Sequence, residues 1–67
     1  MKVHFDEKTD ALYIRLTDAE IIESEEIKPG IVFDFDAQGQ IAAIEILRAR
    51  SMIPLSNLRQ MLFEVAS

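Results

Sequence analysis

Sixty-seven residues carry 12 acidic and 7 basic side chains, a net charge of −5, and 49% of them are hydrophobic. The apolar share argues against disorder. Zero Cys excludes disulfides, a single His beside it opposes a zinc site, and the acidic balance disfavours binding to nucleic acid phosphates. A chain this short buries only about 60% of its unfolded surface, so self-association is the compensation left open. One domain, 1–67, is expected, with a sheet over about 2–47 and a helix over about 54–66. No apolar run approaches the ~20 residues of a membrane span, and MKVHFDEKTD lacks the apolar core of a signal peptide. No membrane partner and a cytoplasmic location are the expectations.

Val3 and Phe5 alternate with Lys2, His4 and Asp6, which predicts a short first strand. Asp6-Glu7-Lys8-Thr9-Asp10 is uninterrupted polar sequence and predicts a hairpin loop. In the next segment Leu12, Ile14 and Leu16 recur every two residues, with Ala11, Tyr13, Arg15 and Thr17 between them. That period is a strand's. Ile21 to Lys28, reading IIESEEIK, is apolar at its ends and acidic in its middle. Glu favours helices, but the segment is short and runs into Pro29-Gly30, which suits a type II turn. A third strand is predicted. Simple sequential pairing makes this charged segment the middle of five strands, where the least polar one is expected.

Ile31 to Leu47 is the apolar centre of the chain. Ile31, Phe33 and Phe35 alternate strictly with Val32, Asp34 and Asp36. Asp36-Ala37-Gln38-Gly39-Gln40 is turn chemistry. In the following run Ala42, Ile44 and Ile46 share one face, and Ile41, Ala43, Glu45 and Leu47 the other. A strand apolar on both sides is covered on both sides, so the second face needs the helix or another subunit. Arg48-Ala49-Arg50-Ser51 is read as a polar exit. Leu55, Leu58, Leu62 and Val65 then fall at spacings of three and four, widened by Met61, and form one face of a helix that Pro54 starts. The fold class expected is α+β: an antiparallel meander of about five strands with one C-terminal amphipathic helix packed on it.

The segments Asp6-Glu7, Asp10-Ala11-Leu12-Tyr13-Ile14, Glu26-Ile27-Lys28-Pro29-Gly30, Asp34-Phe35-Asp36 with Gly39, and Ile44-Glu45-Ile46-Leu47 follow in a distinctive order and spacing. As an ordered set, spanning about residues 3 to 53, they resemble the DUF2283 family. These are short bacterial and archaeal proteins of uncharacterised function. Members often carry Asp-Gly in the turn where this chain has Ala37-Gln38-Gly39. The resemblance implies no catalytic residue and no cofactor. Members encoded beside small toxin-like proteins make an antitoxin-like role its one functional implication.

The residues themselves offer little chemistry. His4 lies on the polar side of the first strand, where a surface His is favoured over a general base. Glu23, Glu25, Asp34, Asp36 and Glu45 are the only carboxylate group that adjacent strands could gather. Asp34 and Asp36 share a strand face, about 7 Å apart. A solvated face is the favoured reading, and the alternative is a divalent-metal-binding domain or metal-dependent enzyme built on Asp34, Asp36 and Glu45. Tyr13 and Arg15 share the outer face of the second strand and are typical interface anchors. Glu45 sits on an otherwise apolar face with Leu47, so it needs a partner: Arg15, Arg48 or a residue of a second subunit. Phe63 exceeds what one helix stripe requires. Tyr13, Arg15, Glu45, Leu47 and Phe63 are therefore the candidate interface residues. The function expected is a non-enzymatic interaction module forming a homodimer, with a small basic protein as a further partner.

Overall fold

The computed structural model describes residues 1–66. Five strands form one open antiparallel sheet: β1 (Lys2–Asp6), β2 (Ala11–Arg15), β3 (Glu23–Lys28), β4 (Ile31–Phe35) and β5 (Ile41–Ile46). A short helix α1 (Ala49–Met52) and the longer α2 (Leu55–Ala66) follow. The α+β class expected from the sequence is the one observed. The strand order is β1-β2-β5-β4-β3, not that of a sequential meander. β2 pairs with β5, and the charged β3 lies at the edge with all six residues exposed. The physical reason is hydration. An edge strand keeps its glutamates in water, whereas the centre of a sheet suits the apolar β5.

Two local signals close the hairpins. Gly30 adopts φ +84 behind Pro29, as the second central residue of a type II turn requires. In the 36–40 turn, Asp36 Oδ1 accepts from the backbone N–H groups of Gln38 and Gln40, both at 2.9 Å, and Gly39 takes φ +77.

A register shift explains why β5 breaks strict alternation. Asp34 pairs with Ala43 but Phe35 with Ile41, so Ala42 is an extra residue on β5. Its carbonyl accepts from both Leu16 and Thr17 N–H. The bulge returns Ile41 to the side of Phe35, Ile44 and Ile46. The run read as apolar on both sides thus places its isoleucines on one face and leaves Ala43 and Glu45 on the other. Ala42 and Ala43 are fully buried.

The helices cover only part of the isoleucine face. Leu12, Ala49 and Leu58 are fully buried, and Val3, Phe5, Ile14, Ile46, Ile53 and Met61 pack around them. The core therefore lies over β1, β2 and one end of β5. Arg48-Ala49-Arg50-Ser51 is not a polar exit. Arg48 takes a left-handed φ of 49, and Ala49 opens α1 and is buried. The stripe on α2 is also narrower than its spacing suggests. Leu58 is buried, while Leu55 and Val65 stay exposed.

Candidate functional site

The face of the sheet opposite the helices holds the polar residues that the strands bring together. Cross-strand pairing sets His4 against Tyr13, Tyr13 against Glu45, and Glu45 against Val32. The next row sets Arg15 against Ala43, Ala43 against Asp34, and Asp34 against Ser24. Glu45 and Asp34 are thereby diagonal neighbours on β5 and β4.

Asp34 is 2% exposed and accepts a 2.6 Å hydrogen bond from Ser24 Oγ. The Glu45 carboxyl is held above its ordinary pKa of 4.5, first by burial, then by its hydrogen bond to Asp34 and by the Asp34 charge. The partner of Glu45 is therefore another carboxyl group, with Glu45 as the donor when protonated. Neither arginine expected for it plays that part. Arg15 donates from Nε to Thr17 O at 2.7 Å, from Nη2 to Ala19 O at 2.5 Å and from Nη1 to the Tyr13 hydroxyl at 3.1 Å. It fastens the loop after β2. Arg48 follows the C-terminal end of β5, its guanidinium beside Gly30.

The other carboxylates go elsewhere. Asp36 is consumed by its own turn. Glu23 and Glu25 pair with Phe35 and Phe33, so they emerge on the helix side, away from Asp34. Among the described residues no three of His, Cys, Asp and Glu converge as metal ligands. The trio Asp34, Asp36 and Glu45 is not brought together, because the turn captures Asp36. A proton shared by two carboxyl groups could serve acid–base chemistry. Around this pair, however, the described residues form no cavity to hold a substrate.

The five candidate interface residues divide between two faces. Tyr13, Arg15 and Glu45 are adjacent and half-buried on the polar face. Leu47 lies just past β5, half-buried, its N–H donating to Gly30 O at 2.7 Å. Phe63 is 74% exposed on α2, on the opposite side of the sheet. From the sequence, Phe33, Phe35, Ile44 and Ile46 are expected in the core with Leu12, Ile14 and Leu16, but the core cluster takes in only Leu12, Ile14 and Ile46 of these and leaves an apolar surface. Beyond the reach of α2, the helix side of β4 and β5 carries Phe33, Phe35, Ile41 and Ile44, all half-buried, with Leu16 exposed beside them. The Phe33 and Phe35 rings meet edge to face at 6.3 Å. The broken alternation at Ile41-Ala42-Ala43-Ile44 was the available signal for this surface.

A model of the DUF2283 family, described as a protein of unknown function, matches residues 2–50. The chain belongs to the DUF2283 family. The match takes in the entire sheet of this DUF2283 protein and α1 up to Arg50, and stops before α2. Several of the residues that carried the resemblance have structural duties here. Asp6 Oδ1 accepts from the N–H groups of Lys8 and Thr9. Asp10 takes φ 56; its carboxylate accepts from Arg50 backbone N–H and Nε, and its carbonyl accepts from Ala49 N–H. No curated protein and no solved structure matches the chain.

Proposed function

We propose that this DUF2283 protein is a non-enzymatic interaction module that works as a homodimer, joined through the uncovered half of its helix-side face. One observation carries the reading. Among the described residues the large side chains fully out of water are Leu12 and Leu58, while Phe33, Phe35, Ile41 and Ile44 are half-buried and Leu16 is 39% exposed. The chain exposes 4780 Å², whereas a monomer of its mass is expected to expose about 4,300 Å². A second copy laid on the open patch removes that excess and completes the apolar layer. Each partner of a standard interface gives up about 800 Å². A flat body of 35 × 29 × 16 Å has a broad enough face for that.

Sedimentation across a wide concentration range tests the dimer. The native chain sediments as a dimer, and Leu16→Glu sediments as a monomer with an unchanged circular dichroism spectrum. A well-folded native monomer at every concentration refutes the reading. The net charge of −5 favours a small basic protein as a further partner, and the likeness to family members encoded beside toxin-like proteins adds an antitoxin-like role. Co-expression with a small basic protein encoded next to this chain tests that part, with copurification in a fixed ratio as the expected result and independent elution as the contrary one.

A further inference from the structure

The outer edge of the sheet at β3 has no strand beside it, and three features coincide there. First, all six residues are exposed, and the outward N–H and C=O groups from Glu23 to Glu26, ahead of the register shift at Ile27, are open to a new strand. Second, the chain gathers Asp18, Glu20, Glu23, Glu25 and Glu26 within nine residues that contain no Lys or Arg. Third, two isoleucines stand exposed along this edge, Ile22 just before β3 at 61% and Ile27 at its register shift at 43%. Ile22 already follows the line of the sheet, since its N–H donates to Phe35 O at 2.9 Å.

We propose that β3 is a docking edge for an extended cationic segment of another protein, which joins as a sixth strand with Lys or Arg opposite Glu23 and Glu25. The proposal rests on the reading of the chain as an interaction module and names where a basic partner binds. The charges decide the occupant. A second copy pairing β3 with β3 would bring two glutamate rows together, and directly opposed like charges are destabilising. A cationic strand meets complementary charge on the helix side at Glu23 and Glu25, and again at Glu26 on the other face. Backbone pairing supplies affinity and the side-chain alternation supplies selection, as in other strand additions. Charge and the irregularity at Ile27 would blunt an edge against aggregation, but neither accounts for Ile22, left exposed just before the strand.

The test uses the isotope-labelled full chain and three synthetic peptides: alternating Lys and Val, alternating Glu and Val, and the Lys-Val sequence with alternate amides N-methylated. The Lys-Val peptide shifts the amide resonances of residues 22–28 and slows their hydrogen exchange. N-methylation leaves its charge intact and weakens binding by about tenfold or more, as does Glu23→Gln with Glu25→Gln. The Glu-Val peptide does not bind. Absence of Lys-Val binding overturns the proposal, as do shifts confined to other strands or binding that survives N-methylation. Sedimentation of the same samples reports the dimer separately. A dimer that ignores the peptide overturns only the docking edge, and a monomer that binds it overturns only the dimer.

Discussion

At the scale of single residues, the Asp34–Glu45 pair is the feature with measurable consequences. The folded chain holds the Glu45 proton above the ordinary value of 4.5, so the folded state binds that proton more tightly than the unfolded state. The associated stability is fully present below pH 4.5 and is lost as pH rises through the folded pKa. Above that range the Glu45 charge beside Asp34 is a small liability. Glu45→Gln keeps a donor toward Asp34 and removes one charge. It raises the melting temperature at pH 7, by an amount that solvent screening keeps small, and the gain vanishes near pH 4. Thermal melts of both chains across that range check the sign. Gly30 offers a second test. Its φ is +84, and an added Cβ would stand 3.0 Å from Arg48 Nη2 and Met52 Cε. Both are ends of flexible side chains, so most of the cost is backbone strain of about 1–2 kcal/mol. Gly39 has φ +77 with open space around it. Gly30→Ala is thus expected to lower the urea midpoint more than Gly39→Ala, and both to lower it.

At the scale of elements, the path of the chain from β5 into α1 depends on the β1–β2 loop. Ala49 N–H donates to Asp10 O at 2.8 Å, while Arg50 reaches Asp10 Oδ1 from its backbone N–H and from Nε, each at 3.0 Å, and Glu7 O from Nη2. This contact spans about forty residues of chain and sets where Ala49 enters the core. Asp10→Ala loses the carboxylate and places Ala in the left-handed region, at a cost of about 2 kcal/mol, while Asp10→Asn is milder because Asn tolerates that conformation. Chemical denaturation of the two variants separates these terms. The strand order makes its own prediction. β2, β5 and β4 each have two neighbours, so their amides exchange most slowly, and the outward amides of β3 exchange fastest in the sheet. A sequential meander would give the opposite result for β3. The turns were legible because Pro29-Gly30 and Asp36 to Gly39 signal locally. The β2–β5 pairing was not, since nothing in Ala11–Arg15 alone prefers β5 over β3 except the polarity of the partner.

At the scale of the whole molecule, five strands and two helices enclose a core centred on Leu12, Ala49 and Leu58. The α2 helix crowns one end of the sheet and leaves the other end apolar and open. The expected homodimer and the expected basic partner then fall on different surfaces, an apolar face and an acidic edge. If both readings hold, addition of salt weakens the basic partner and leaves the dimer intact, because screening acts on exposed charges and not on apolar burial. Sedimentation at low and high ionic strength, with and without the Lys-Val peptide, separates the two.

The sequence by itself determined the strands, the two glycine turns, the amphipathic helix and the family, because each rests on local period, turn chemistry or an ordered set of short segments. Tertiary structure alone decided which strands are neighbours, which carboxylates meet and how much of the sheet the helix covers. The reason is that these are non-local choices. The extra residue at Ala42 reassigns Ile41 to the other face, and that shift has meaning only once β4 and β5 are paired. Glu45 finds Asp34 through the same pairing, while Asp36, two residues away from Asp34, is taken by its own turn. The hydration of β3 sends it to the edge, and that placement turns a charged strand from a difficulty of the sequence into the surface where a partner is expected.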